Sequence, residues 1–437
     1  MTATWMDRLT EANRRFETRY PGDPADRQPI HVVYGGAQRF RADTARKFGV
    51  LALETLRTSA PDARTLTQIT GVPEAVYGRV ISKLEREPVE DFRIDFEDGY
   101  GSRSDSEEDE HARQAAAELV RAMSSGSLPP FIGIRIKALT NVLAARAART
   151  LEIFIEAAIR HSGTLPPNFT VTLPKVTISE QVAALDDLLC ELEHRFSLEQ
   201  RSILVELMVE TPQIVVDKKG VCAIPAMIEA AEGRCRGIHF GPYDYTSSLN
   251  IASPDQSLSH PACEFARQLM IASAAATGVT VSDGPTKRLP LPVHRGAEVT
   301  EEQREENKTA VYRGMTAHCA DIRRALRDGI YQGWDLHPAQ LPTRYAATYA
   351  FFLEGLDEAV TRLRNFLNDA QQVTLSGNLF DDAASGQGLL NFFLRGYSCG
   401  ALDEADVART GLTMDDVRER SFMRILERRR ASVSNHG

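Results

Sequence analysis

Short apolar runs of strand length recur along the chain, each followed by apolar positions at helical spacing. The runs are Ile30–Tyr34, Phe92–Phe96, Phe131–Ile136, Phe169–Leu173, Ile203–Val209, Gly237–Phe240, Val279–Val281 and Gly333–Leu336. They read as near-continuously apolar, as strands buried on both faces should. Between them Leu143, Ala147, Leu151, Phe154 and Ala158 fall on one helix face, as do Val182, Leu185, Leu188, Leu189 and Leu192. Alternating strand and helix predicts right-handed βαβ crossovers and a parallel sheet. Eight units predict an α/β fold closed as a (β/α)8 TIM barrel. An open doubly wound sheet is the alternative, but Tyr34-Gly35-Gly36-Ala37-Gln38 lacks the third glycine of a dinucleotide fingerprint and reads as a turn into the first helix.

The chain exceeds a minimal barrel. Residues 1–28 form a polar N-terminal arm, 29–345 the barrel, and 346–437 a helical C-terminal extension. Pro285–Asn307, rich in Pro, Arg and Glu, reads as a long loop after the seventh strand. After Pro342 a stripe of Leu353, Leu356, Val360, Leu363 and Leu367 predicts a helix. Ser376-Gly377-Asn378 breaks it, and two more helical stretches lead to a basic end at Glu427–Arg430. The acidic tract Asp105–Glu110 reads as the solvated first turn of a helix, where carboxylates suit the helix dipole.

Composition narrows the function classes. A net charge of −9 disfavours nucleic acid and anionic membranes as partners. No run of eighteen apolar residues occurs, and Met1–Arg27 lacks the apolar core of a signal peptide. Six scattered cysteines without a CxxC pair read as reduced structural thiols. The expectation is a cytoplasmic enzyme.

Strand ends on the C-terminal side of such a barrel face the active site. The second strand ends in Asp95-Phe96-Glu97-Asp98, the third carries Arg135, and the fourth ends in Leu173-Pro174-Lys175. The fifth ends in Val209-Glu210-Thr211, and the sixth runs into Gly241-Pro242-Tyr243-Asp244. The seventh ends at Asp283 and the eighth at Asp335-Leu336-His337. Nearly every strand thus delivers a charged group to one rim, and a divalent cation would relieve the carboxylate repulsion. Oxygen donors without a Cys or His cluster point to Mg2+, with Mn2+ as its substitute.

In this order the motifs Asp95-Phe96-Glu97-Asp98, Gly133-Ile134-Arg135-Ile136, Leu173-Pro174-Lys175-Val176, Val209-Glu210-Thr211, Phe240-Gly241-Pro242-Tyr243-Asp244 and Leu336-His337-Pro338-Ala339-Gln340 resemble the citrate lyase beta-subunit and HpcH/HpaI aldolase superfamily. The resemblance spans roughly Ile30 to Leu390. It implies a TIM barrel of the phosphoenolpyruvate/pyruvate type that binds Mg2+ and makes or breaks carbon–carbon bonds beside a carbonyl. It implies Glu210 and Asp244 as metal ligands, and Arg135 as the group holding the substrate's carboxylate and carbonyl oxygen. Glu97 and Asp98 match acidic residues beside the metal, and Pro242 lines the substrate site. The aldolase branch carries a histidine base where this chain has Asp98, so that branch's proton-transfer scheme does not carry over directly, and Asp98 is a candidate catalytic residue. Ser376-Gly377-Asn378-Leu379-Phe380-Asp381 is similar to the lid motif of the acyl-CoA lyase branch. There an aspartate matching Asp381 acts in a neighbouring subunit's site, which implies a homo-oligomer. Asp381 or Asp382 could equally cap a helix.

The chemistry is self-consistent. Cleavage beside a carbonyl leaves an enolate, whose oxyanion a metal ion stabilises, and a guanidinium fork suits the chelating carboxylate better than an ammonium. Lys175 reads as an ion-pair partner beneath the site, and His337 is assigned no catalytic role. The expected activity is a Mg2+-dependent lyase or aldolase acting on a small hydroxy- or oxo-acid, free or as its CoA thioester. The rivals are a malate-synthase-like condensation of an acyl-CoA with an oxo acid, and a catalytically silent barrel serving as a binding subunit.

Overall fold

The computed structural model describes residues 4–22, 24, 26–296, 298–368, 374–376, 379–381, 383–419, 422, 424, 425 and 428. Eight parallel strands close into a barrel in sequence order: β1 (His31–Gly36), β2 (Asp91–Asp95), β3 (Phe131–Arg135), β4 (Thr170–Leu173), β5 (Leu204–Val209), β6 (Cys235–Phe240), β7 (Thr280–Asp283) and β8 (Gln332–Asp335). Pairing of Val33 with Asp335 closes β1 on β8, and β2 sits beside β3 with Asp95 opposite Arg135. The expected TIM barrel is therefore the fold, each strand within a few residues of its apolar run.

The strands are not apolar on both faces. Outward positions such as Phe92, Ile94, Ile132, Ile134, Val171, Leu207 and Ile238 pack under the helices. Inward positions carry Asp91, Arg93, Asp95, Arg135, Thr170, Thr172, Glu206 and His239, all buried. Arg93 is the centre of this polar interior. Its Nε donates to Glu206 Oε2 at 3.0 Å and its Nη2 to Glu206 Oε1 at 2.6 Å. Nη2 also reaches Asp91 Oδ2 at 3.0 Å, and Nε reaches Thr172 Oγ1 at 3.1 Å. A buried guanidinium is tolerable only with such paired, charge-assisted bonds. Against the cost of burial, Arg93 holds the Glu206 carboxyl well below the usual carboxylate range.

Asp283 and Asp335 also depart from expectation, because they turn away from the rim. Asp283 accepts from Arg267 at 3.1 Å, and Asp335 pairs with Arg344 at 2.8 Å and His318 at 2.9 Å. They fasten β7 and β8 to outer helices. The acidic tract is less solvated than expected: in the helix Asp105–Ser125, Glu108 and Asp109 are buried, pairing with Lys137 at 2.8 Å and Arg146 at 2.5 Å.

Beyond the barrel, the N-terminal arm is a helix, Trp5–Arg19, begun by a capping box between Thr4 and Asp7. The segment read as a loop over Pro285–Asn307 is helical from Glu301, because Thr300 and Gln303 cap the long helix Glu301–Arg327. The predicted extension helix runs Leu341–Asn368. A two-stranded hairpin, β9 (Thr374–Ser376) and β10 (Leu379–Asp381), follows it, with Gly377 and Asn378 outside the described residues. Among the described residues the helices Ala383–Ser398, Glu404–Ala408 and Met414–Arg418 come next, where two stretches were expected. Phe352, Phe392 and Phe393 pack between the long helices, with ring centroids 5.1 Å apart for Phe352 and Phe392. Of the basic end, only Arg428 is described. No described helix is long and apolar enough to cross a membrane.

Candidate active site

The site is built at the C-terminal ends of β2 to β6. Period-two alternation along Asp91–Asp95 puts Asp95 inward at the top of the barrel. There its Oδ1 accepts from the Glu97 N–H at 2.9 Å and its Oδ2 from the Gly99 N–H at 2.7 Å. This turn fixes Glu97 and Asp98 at the rim. Arg135 answers across the β2–β3 register: Nε donates to Asp95 Oδ1 at 2.7 Å and Nη2 to Oδ2 at 2.5 Å. Its third nitrogen, Nη1, faces Glu97 at 3.4 Å and Asp98 at 3.8 Å.

Two aromatic rings brace the guanidinium. Arg135 Cζ lies 4.6 Å from the Tyr34 centroid and 5.6 Å from that of Trp334, a geometry that favours the cation. The Tyr34 hydroxyl meets His239 Nδ1 at 3.2 Å, and His239 Nε2 lies 3.5 Å from Glu206. A polar column thus runs from the Arg93 cluster to the rim. Trp334 Nε1 is buried without a hydrogen-bond partner among the described residues. An orphaned donor of this kind costs on the order of 1–3 kcal/mol, and its ring lies beside the Arg135 guanidinium.

Lys175 and Glu210 form the other side. Lys175 Nζ pairs with Glu97 and, at 2.9 Å, with Asp98 Oδ1. The Lys175 backbone N–H donates to Glu210 Oε1 at 2.5 Å. Glu210 is 3% exposed. Burial first, and the charge of Asp244 second, push its carboxyl up to about 8. Asp244 stands exposed in the first turn of the helix Pro242–Ser248. Gly241 precedes that helix, and a Cβ on it would lie 2.5 Å from the Glu210 Cβ, so a glycine is needed for the helix to approach. Pro242 is buried at the first helical position, its ring against the backbone of Gly284.

The two rim carboxylates are electrostatically different. Burial raises Glu97, whereas Asp98, 56% exposed, is held below its ordinary value against the cost of burial by hydrogen bonds from Glu97 and Lys175. Of the two, Asp98 is the one open to solvent. His337 caps the turn after β8, its Nδ1 accepting from the Ala339 N–H at 3.1 Å.

The structure therefore brings Glu97, Asp98, Arg135, Lys175, Glu210 and Asp244 to one rim. β10 is described at Asp381, but its side chain lies outside the described residues. The sequence reading named Asp95 and Gly241 in the rim motifs without assigning them a site role, and overlooked Tyr34 and Trp334 as parts of the site. Among the described residues no group of three or more His, Cys, Asp or Glu side chains is arranged to hold a metal. Glu210 and Asp244 are two carboxylates near enough to interact, Glu210 being raised first by burial and second by the charge of Asp244.

In fold, the chain is similar to a citrate lyase from Burkholderia xenovorans LB400, with 19% identity, 88% of this chain and 96% of that chain covered, and a TM-score of 0.56. Weaker likenesses are the Haloferax volcanii malate synthase, with 15% identity, 90% and 96% coverage and a TM-score of 0.47, and CitE from Mycobacterium tuberculosis in complex with magnesium, acetoacetate and coenzyme A, with 16% identity, 86% and 99% coverage and a TM-score of 0.48. No curated protein matches the chain. A family model described as a domain of unknown function, DUF6986, matches residues 9–425, and the chain belongs to that family.

Proposed function

We propose that the protein is a Mg2+-dependent carbon–carbon lyase or aldolase acting on a small hydroxy- or oxo-acid, free or as its CoA thioester. The observation that carries this reading is the placement of the buried Glu210 and the exposed Asp244 on the same rim as Arg135 and Asp98. Glu210 and Asp244 would hold the ion. Bound there, Mg2+ supplies Lewis-acid stabilisation of negative charge developing on a carbonyl oxygen.

The protein's own groups do the rest. Arg135, locked by Asp95 and braced by Tyr34 and Trp334, offers Nη1 to the substrate carboxylate. The unpartnered Trp334 N–H is a second donor that a substrate oxygen would satisfy. Asp98, accessible and held against the cost of burial below the ordinary carboxylate range by hydrogen bonds from Glu97 and Lys175, takes the proton from the hydroxyl whose carbon is released. Lys175 holds Glu97 and Asp98 in place. To Asp381 we assign an acid/base role from the extension of a neighbouring copy in a homo-oligomer.

The test is Mn2+ binding by electron paramagnetic resonance, with and without oxalate, in the wild type and Glu210→Ala. The expected result is tight Mn2+ whose signal changes with oxalate and is lost in the variant. Wild-type protein that binds no Mn2+, or a variant that binds it as well, would leave the lyase reading without its support.

A further inference from the structure

The N-terminal arm presents an apolar stripe to solvent. In the helix Trp5–Arg19, the residues Trp5, Leu9, Ala12 and Phe16 are spaced four, three and four apart, the repeat that keeps a narrow seam on one side of a helix. Trp5 is 67% exposed, Leu9 51% and Phe16 63%, and no residue of the helix is buried. The end of the arm is tied to the barrel: Arg19 pairs with Glu229 at 3.2 Å, and the Gly22 N–H donates to the Ala276 carbonyl at 2.9 Å. Glu229 and Ala276 shortly precede β6 and β7, so the arm is anchored on the face opposite the candidate active site. A helix of 15 residues with none of them buried is marginal in water, and its stripe calls for a partner.

The pattern of the helix says what that partner is. A helix lying on an anionic lipid surface sets a broad apolar face under a cluster of basic residues. Here the polar positions mix Asp7, Glu11 and Glu17 with Arg8, Arg14, Arg15 and Arg19, and Arg14 is engaged by Glu11 at 3.0 Å. A narrow seam of this spacing instead fits the same seam on a second helix, where the side chains interdigitate. The flanking charges set the direction. Arg8 and Arg15 line one edge of the seam, and Met6, Asn13 and Tyr20 line the other. In a parallel pair Arg8 faces the second copy's Asn13, and Arg15 faces the second copy's Tyr20. An antiparallel pair would set Arg8 against the second copy's Arg15, like charge on like. Fully covered, Trp5 and Phe16 would bury about 150–250 Å² each, so two stripes reach at most the lower end of the about 1,200–2,000 Å² of a stable interface. The pair is accordingly weak and concentration-dependent.

We propose that the N-terminal helix is a self-association surface on which two copies of this chain pair, with their Trp5, Leu9, Ala12 and Phe16 seams packed side by side and parallel. The inference is independent of the lyase reading. The arm is fixed to the far face of the barrel, and pairing it leaves both candidate active sites open.

The test uses the full chain with Trp334→Phe, which leaves Trp5 as the sole tryptophan. Sedimentation equilibrium and Trp5 emission are followed together across the micromolar range. The expected result is a doubling of mass with rising concentration, with Trp5 emission moving to the blue in step. Leu9→Asp and Phe16→Asp together should hold the protein at the lower mass, with Trp5 in water at every concentration. Oxidation of Leu9→Cys protein should link two copies through residue 9, once the two cysteines that are not buried carry Cys190→Ser and Cys222→Ser. A link that forms only between Leu9→Cys and Phe16→Cys copies would overturn the parallel pairing. Trp5 in water at every concentration of the parent protein would overturn the proposal outright. Blue emission at the monomer mass would overturn it by placing the arm on its own barrel. A blue shift seen only with phosphatidylserine vesicles would overturn it in favour of a lipid surface. A doubling of mass that survives the double variant would overturn it by assigning the association to another face.

Discussion

The backbone N–H of Lys175 donates to Glu210 at 2.5 Å from a left-handed conformation, with φ at 49°. A non-glycine residue in that region carries a cost of order 1–3 kcal/mol, which persists only where the surroundings over-determine it. Here they do. The main chain of Lys175 is bound to one candidate metal ligand, and its ammonium bridges Glu97 and Asp98. One residue therefore fixes the distance between the acidic pair and Glu210.

Metal binding should depend steeply on pH. The Glu210 carboxyl is pushed up to about 8, so a cation must displace a proton at neutral pH. Mn2+ affinity should fall about tenfold per pH unit below 8, with proton release detectable by calorimetry in buffers of differing ionisation enthalpy. The metal-free protein should show the matching stability trend. Because the folded pKa is raised above the ordinary 4.5, this group favours the fold most at low pH, and that contribution is lost as pH rises toward and through 8. A flat Mn2+ affinity between pH 6 and 9 would remove Glu210 as a ligand.

Gly241→Ala should weaken the metal site without unfolding the barrel. The added methyl would meet the Glu210 side chain at 2.5 Å, and the backbone at Gly241, φ −104°, is open to any residue. Displacing Glu210 should lower Mn2+ affinity roughly 10- to 100-fold, the scale of lost ligand support. Titration of Mn2+ into the variant, with circular dichroism as the control for folding, checks it.

Arg135→Lys should keep the charge and lose the function. An ammonium cannot bond both oxygens of Asp95 and still present a planar third donor to a ligand. Oxalate binding to the Mn2+-loaded protein, and any carbon–carbon cleavage later found, should drop by on the order of 10²-fold or more. Wild-type behaviour would reduce Arg135 to a structural partner of Asp95.

Arg93→Ala tests the barrel interior apart from the site. It leaves Asp91 and Glu206 buried without their shared cation. Removing one partner of a buried pair costs about 3–5 kcal/mol, so chemical denaturation should show a loss of that size. A loss under about 1 kcal/mol, the range of an exposed pair, would mean that water reaches the cluster.

Much of this was legible in the sequence. The apolar runs and their helical intervals set the order of the barrel, because burial under a ring of helices demands apolar residues on the outward face of every strand. The strand-end motifs named Glu97, Asp98, Arg135, Glu210 and Asp244, because side chains at that end must face the mouth. The polar interior was misread for a specific reason. In Asp91-Phe92-Arg93-Ile94-Asp95 the apolar residues are only the outward half of an alternation, and the inward half is charged.

The sequence by itself determined the fold, the rim on which the chemistry collects and the residue types available there. Only the tertiary structure decided their partners. Asp95 and Arg135 are forty residues apart, and strand register alone makes them a bidentate pair. Asp283 and Asp335 end strands as Asp95 does, yet they bind outer helices, because a shift of one residue along a strand moves a side chain to the other face. The upward push on the Glu210 carboxyl likewise depends on burial and then on the charge of Asp244, on the helix that follows Gly241. Distances between segments remote in the chain set such energies, and no local pattern encodes them.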